Sequence, residues 1–391
     1  MTHASPDVSL TAKSVDRMRN WLVRDCLPVW IDRGFDASGG GFHEILEFDG
    51  TPVPGSPRRL TVQGRQIFTF ARAMSLGWAD CRDKIASAFD AMVDRYRSPD
   101  GEPGFVFKVD AKGKVVDANR DLYAHAFVLL AAAGYYRLTG DSQAVALADD
   151  TLAFLDEALM APRGGYFDSH PTTPELLRQN PHMHLFEALL ALYEATGKAC
   201  YLGRAGEKFG YLKTHFFRPE VDIIAEYFDH DWLPVGGADA MWEPGHHMEW
   251  AWLLSEYEGA TGTVTRPIVD RLLAKAYAYG VRAPALIVDE VRGDGVVLKG
   301  GCRTWPLTEA AKAQSVRLGR DPLAAERLRA TFDWMYERHL TGDGMMPGLW
   351  RDHFAEDGAL LTPHSPASTL YHIAMSVFVA DGAMKKFGGT G

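Results

Sequence analysis

The chain has 391 residues, 47% of them hydrophobic and 24% charged, and a formal net charge of −10. That acidity argues against a nucleic-acid or anionic-membrane surface, since such partners select basic patches, and it fits small neutral partners better. No run approaches the roughly 18 apolar residues a membrane helix needs, and the Met1–Asp7 stretch has no basic segment leading into an apolar one, so a cytoplasmic protein is expected.

Apolar residues recurring every three to four positions predict helices over about 9–33, 59–78, 80–97, 120–139, 142–159, 181–196, 198–215, 245–261, 265–280, 305–318, 321–340 and 365–386. Strand-like signal is confined to short pieces between them, at 104–109, 222–228 and 295–298, which read as small hairpins over one end. Thr139-Gly140, Thr196-Gly197 and Thr261-Gly262 each close an apolar helix, with glycine available for a left-handed cap. They recur about 60 residues apart, so the chain holds about six helix pairs. No linker or charge block divides them, which gives one domain over residues 1–391. The expected fold is all-α, an (α/α)6 barrel of about twelve helices; a helical solenoid is the competing arrangement. Cys26, Cys81, Cys200 and Cys302 are widely spaced and read as buried reduced thiols.

Three helix starts carry histidine ahead of a core-like run: Asn180-Pro181-His182-Met183-His184, Pro244-Gly245-His246-His247-Met248-Glu249 and Ser365 to His372. Converging at one mouth, they would assemble a site from helix ends. Asn180 suits an N-cap and Pro181 the first helical position, which puts His184 in the first turn. His246 and Glu249, three apart, share a helix face. The positive helix terminus disfavours an imidazolium at His246 while Glu249 favours it, so the two effects oppose each other. Arg65 is flanked by helix core and needs acceptors, either carboxylates or substrate hydroxyls. Tyr123 and Trp305 are placed either to stack on a sugar ring or to pack in the core. The spacing His-Glu-x-x-His is absent, so no metal is expected, and Gly39-Gly40-Gly41 lacks phosphate-loop spacing, so no nucleotide cofactor is expected either.

Six motifs in order resemble the N-acylglucosamine 2-epimerase superfamily over nearly the whole chain: Val62-Gln63-Gly64-Arg65-Gln66, Asp121-Leu122-Tyr123-x-x-Ala126-Phe127, Asn180 to His184, Pro244-Gly245-His246-x-x-Glu249-Trp250, Trp305-Pro306-x-Thr308-Glu309, and Tyr371-His372. The resemblance implies an (α/α)6 barrel that opens sugars and moves a proton at C2 without a metal or other cofactor. It implies Arg65 as a substrate-binding arginine, with Tyr123, Asn180, Met183 and Trp305 on the substrate wall. His184 and Glu249 correspond to ring-opening and positioning groups, and His246 and His372 to the acid/base pair. Members often carry Trp four residues before the arginine, where this chain has Thr61, which moves the stacking role to Trp305.

An aldose C2 proton leaves only from an opened sugar whose carbonyl is polarised. Returning the proton to C1 gives a ketose, and returning it to C2 on the other face gives the epimer. The motifs around His246 and His184 resemble the mannose isomerase and mannose 2-epimerase branch, so D-mannose to D-fructose is the first expectation and 2-epimerisation the second. Beyond Arg65 the sequence shows no basic cluster for a phosphorylated sugar. A glycoside hydrolase using Asp121 with Glu249 or Glu309 and a non-catalytic sugar-binding barrel are the rivals. The expected partner is a monosaccharide, on a monomer or homodimer.

Overall fold

The computed structural model describes residues 6–172 and 176–388. Its helices are α1 (Pro6–Trp21), α2 (Leu27–Asp32), α3 (Leu60–Ser75), α4 (Arg82–Tyr96), α5 (Leu122–Thr139), α6 (Ser142–Ala158), α7 (Gln179–Thr196), α8 (Ala199–Tyr211), α9 (Pro244–Thr261), α10 (Arg266–Lys275), α11 (Thr304–Ser315), α12 (Ala324–Met335) and α13 (Ser368–Gly388). A π-helical turn, Leu22–Cys26, joins α1 to α2, so the first predicted helix is one helical arm in three pieces. Among the described residues no helix is long and apolar enough to cross a membrane.

The odd-numbered helices from α3 to α13 form the inner set. Each packs on the next, and α13 packs back against α3. Their sequences explain the placement: α5 is buried from Ala124 through Gly134, apolar all round, whereas α8 buries only Tyr201, Ala205, Lys208 and Phe209 along one stripe. The even-numbered helices α4 to α12 cover the inner helix that precedes each, and α1 covers α13. The three Thr-Gly signals end α5, α7 and α9, with Gly140, Gly197 and Gly262 at φ 72°, 69° and 73°. Of the cysteines, Cys26, Cys81 and Cys302 are buried; Cys200 is exposed, contrary to expectation, on the first turn of an outer helix.

Each inner helix is preceded by two or three extended residues: Arg58–Arg59, Arg120–Asp121, Leu177–Arg178, Met241–Trp242, Cys302–Arg303 and His364–Pro366. All six pair with strands of other loops, the last with Ile45–Glu47 near the chain start. The first backbone N–H groups of α3, α5, α7 and α11, which have no intrahelical acceptor, donate to the carbonyls of Phe107, Asp168, Glu226 and Asp352. This pairing corrects one expectation. Because Arg178 is held extended against Tyr227, α7 starts at Gln179, and Asn180 lies inside the first turn rather than capping it.

Three histidines peg this end together. The Nδ1 atoms of His125 and His182 lie 2.8 and 3.1 Å from the carbonyls of Asp121 and Arg178, one turn back. The Nε2 atoms of His125, His182 and His247 accept the N–H groups of Phe105, Tyr166 and Ile224 in the neighbouring hairpins. Burial drives their pKa values down to about 4, 3 and 3, so they stay neutral acceptors. Two of the five histidines that mark helix starts, His182 and His247, are therefore structural.

Replacing His125 by Leu strands the Phe105 N–H and should lower the unfolding free energy by about 1–3 kcal/mol in a denaturant titration. In the native protein all three pegs bind protons less readily than a free imidazole, whose pKa is about 6.5. Stability should therefore be held above about pH 6.5 and lost as pH falls toward 4, with net proton uptake on unfolding.

Candidate active site

At the N-terminal ends of the inner helices lies a cavity of about 260 Å³. Helix α3 contributes Arg65, α5 Tyr123, α7 Asn180 and His184, α9 His246 and Glu249, α11 Trp305, and α13 Ser368, Thr369 and His372. Glu243, Arg303 and Asp352, from the extended segments and loops, complete the wall. A second cavity, of about 400 Å³, opens between the C-terminal halves of α7 and α9 beside Tyr193, Trp252 and Glu256, and no histidine lines it.

Each pocket histidine has a carboxylate behind it. His184 Nδ1 lies 2.9 Å from Glu187 Oε2, His246 Nδ1 2.9 Å from Glu226 Oε1, and His372 Nδ1 2.8 Å from Glu309 Oε1. A carboxylate can only accept, so each Nδ1 must carry the proton, and Nε2 is the nitrogen left to meet a ligand. The carboxylates are held in turn. Tyr371 donates its hydroxyl proton to Glu187, Gln179 Nε2 donates to Glu226 Oε2 at 2.9 Å, and Lys312 Nζ lies 2.6 Å from Glu309 Oε2. Trp250 fixes Gln179 by donating to its Oε1 at 2.7 Å.

The three imidazoles differ in charge. Burial would push His246 down, but Glu226, Glu243 and Glu249 outweigh it and raise its pKa to about 10, so it is an imidazolium at neutral pH. This resolves the opposition read from sequence: a charge wins over the helix terminus, and its principal source is Glu226 across the pocket wall rather than Glu249 on the same helix. His372 goes the other way, held well below the usual range by burial together with Arg65, Lys312 and His184, and is neutral. His184 is likewise lowered, by burial against the pull of Glu187. Glu249 has neither carboxyl oxygen hydrogen-bonded, and burial beside Glu309 raises its pKa well above the carboxylate range, so it holds its proton. Its Oε1 lies 3.9 Å from His184 Nε2.

Arg65 donates to the Ser368 carbonyl at 3.2 Å and to the Tyr123 hydroxyl, and lies over the Phe127 ring, so it meets the pocket already oriented. Trp305 neighbours two of the histidines, its ring 4.9 Å from His246 and 6.0 Å from His372. Gly245 makes room for it: a Cβ there would fall 2.6 Å from the indole. Thr61 is buried on α3 and does not line the pocket, so the indole wall is Trp305 alone among the candidates named from sequence.

Eight of the nine residues singled out from sequence line this cavity: Arg65, Tyr123, Asn180, His184, His246, Glu249, Trp305 and His372. Met183 does not. It is fully buried in the hydrophobic core, because on a helix its side chain points away from that of His184. Asp121 also lies outside, where its carboxylate caps α5 by accepting from Ala124 N–H at 2.7 Å. Sequence reading missed the supports, Glu187, Glu226, Gln179 and Lys312. Glu187 had a signal, three residues after His184, as did Lys312, three after Glu309 in a helix buried throughout. Glu226 sits in a strand-like run and carried none. Three groups, His184/Glu187/Glu249, Glu226/Glu243/His246 and Glu249/Glu309/His372, bring ligand atoms close enough for a cation. The donors Tyr371, Gln179 and Lys312 already occupy carboxylate oxygens in these groups, one in each.

A family model described as N-acylglucosamine 2-epimerase (GlcNAc 2-epimerase) matches residues 40–376. The mannose-6-phosphate isomerase of Rhizobium meliloti (strain 1021) is 33% identical over 390 residues, covering 94% of this chain and 97% of the relative. The D-mannose isomerase of Thermobifida fusca is 29% identical over 273 residues, 62% of this chain and 65% of the relative. The solved cellobiose 2-epimerase from Spirochaeta thermophila DSM 6192 shares the fold, with a TM-score of 0.83 at 21% identity and 99% of each chain covered.

Glu226→Gln removes the first of the charges that raise His246. The imidazole of that variant should lose its proton roughly 1–3 pH units lower than in the unaltered protein, followed by NMR titration. An unchanged midpoint would transfer the effect to Glu243.

Proposed function

Because the chain belongs to the N-acylglucosamine 2-epimerase family of sugar isomerases and epimerases, we propose that it opens D-mannose and isomerises it to D-fructose through an enediol. The helix succession described above we read as an (α/α)6 barrel with this pocket at its mouth. The observation that carries the functional reading is a neutral His372 and a charged His246, both beside Trp305, a base and an acid in one cavity at the same pH.

The first requirement is ring opening. In this reading the free Nε2 of His184 takes the O1 proton, the C1–O5 electron pair leaves with O5, and the protonated carboxyl of Glu249 gives O5 its hydrogen. Glu249 Oε1 lies 3.9 Å from His184 Nε2, so the proton returns from one to the other through a sugar hydroxyl between them. Next, Nε2 of His372 takes the C2 proton as the C1=C2 bond forms and O1 accepts a proton from His246. Collapse of the enediol returns the O2 proton to His246, and His372 delivers its proton to C1, which gives the ketose. Arg65, Asn180 and Trp305 bind the open chain. No step needs a metal. Each general acid or base contributes roughly 10²- to 10⁴-fold.

Charge favours a free sugar over a phosphorylated one. Glu243 and Asp352 share the wall with the cations, and Arg303 lies 3.8 Å from the Asp289 carboxylate, so a phosphate dianion meets competing acids. The relative named mannose-6-phosphate isomerase keeps that substrate under test. A second reading, 2-epimerisation, rests on His246: an imidazolium facing His372 across the enediol could protonate C2 on the opposite face.

Proton NMR of the protein with D-mannose, and separately with mannose 6-phosphate, in D2O decides among these. Fructose from the free sugar is expected; glucose labelled at C2 would make the protein an epimerase, and turnover of the phosphate alone would move the substrate. His246→Ala and His372→Ala should each abolish turnover with an unchanged circular dichroism spectrum, and wild-type rates in either would remove that residue from the mechanism.

A further inference from the structure

Below the pocket, between it and the C-terminal halves of the helices, lies a layer of buried charge. Three carboxyl groups, Glu187 on α7, Glu249 on α9 and Glu309 on α11, share it with one ammonium, Lys312. Lys312 is wholly buried, 2.6 Å from Glu309 Oε2 and 3.9 Å from Glu249 Oε1, with its Nζ 3.7 Å from the centre of the Trp252 ring. Tyr371 on α13 faces the same ammonium from 5.9 Å, ring centre to Nζ. The pocket cations Arg65 and His246 and the imidazoles of His184 and His372, which line the pocket, act electrostatically on the layer.

A lone cation among three buried carboxyls cannot neutralise them all, and an unpaired buried carboxylate is costly enough to bind a proton instead. The contacts decide which keep their charge. Glu187 has two donors, Tyr371 and His184 Nδ1. Glu309 Oε1 accepts from His372 Nδ1 and the Thr308 hydroxyl, and its Oε2 forms the ion contact with Lys312. Glu249 has no hydrogen-bond partner, and the Lys312 ammonium stands 3.9 Å from it against 2.6 Å from Glu309. We propose that Lys312 is a positioning residue for the reaction, keeping Glu309 ionised so that it holds His372 with Nδ1 protonated and Nε2 bare toward the sugar, while leaving Glu249 as the carboxyl that carries the proton. The ammonium never touches the substrate and acts through Glu309. Without it, Glu309 would hold its own proton, accept from Nδ1 more weakly or offer it a competing O–H donor, and free the imidazole to turn or change tautomer. The inference rests on the reading of His372 as the base.

The test is Lys312→Met, which keeps the length of the stem and removes the charge. A folded variant should lose kcat about 10- to 100-fold, part of what a general base contributes, with KM within about threefold. Its pH profile should gain an ascending limb, because Glu309 would now ionise only as pH rises. Lys312→Arg, which keeps the charge, should recover part of the loss. If Lys312→Met alone does not fold, Glu309→Gln is compared with the Lys312→Met/Glu309→Gln double variant, in which no charge is left unpaired. A residue acting only through Glu309 adds no further loss of kcat in that background. Wild-type kcat and pH profile in Lys312→Met, or a full additional loss in the double variant, would overturn the proposal. Activity retained by His372→Ala would instead sink the assignment of the base.

Discussion

A carboxylate out of water has to be given hydrogen-bond donors or it takes up a proton, and the whole pocket follows from how that requirement is met. Glu187, Glu226 and Glu309 are each almost fully buried, and each is satisfied in part by an imidazole Nδ1. Satisfying the acid fixes the histidine: its tautomer, its ring orientation and the nitrogen it presents. Three geometrically similar pairs then receive different charges from their neighbours. Glu226 itself and Glu243 beside it keep His246 protonated, whereas His372 meets Arg65, Lys312 and His184 and stays neutral.

The fold makes that arrangement affordable by supplying a rigid rim. Six short strand pairs hold the entrances of the inner helices, and the pegs His125, His182 and His247 tie three of those helices to the hairpins beside them. Side chains in the first turns of six helices are thereby placed without depending on loop conformation. Preorganisation of this kind matters because misplacing a catalytic group by about an ångström can cost roughly 10²-fold in rate.

Much of this was legible in the sequence because the helices repeat at a regular interval and end on glycine. Thr139-Gly140, Thr196-Gly197 and Thr261-Gly262 carry local chemistry that needs no partner, and the helices they close were placed to within a few residues. Pocket residues on helix starts were equally legible, since a polar side chain ahead of a core run is an anomaly in one dimension. What depended on a contact distant in sequence was not. Glu226 reaches His246 across 20 residues and Glu309 reaches His372 across 63, and neither link leaves a spacing pattern. For the same reason neighbouring histidines could not be sorted: His182 bonds backbone while His184 faces the pocket, and Met183 between them belongs to the core. The start of α7 slipped because strand pairing at Arg178, itself a long-range contact, sets it.

The account stands on the protonation of three side chains in one cavity, and nitrogen-15 NMR of the imidazoles at pH 7 reads it without reference to any substrate. It predicts His246 with both nitrogens protonated, and His184 and His372 neutral with the proton on Nδ1. Neutral imidazoles at all three positions, or a proton on Nε2 of His372, would contradict it.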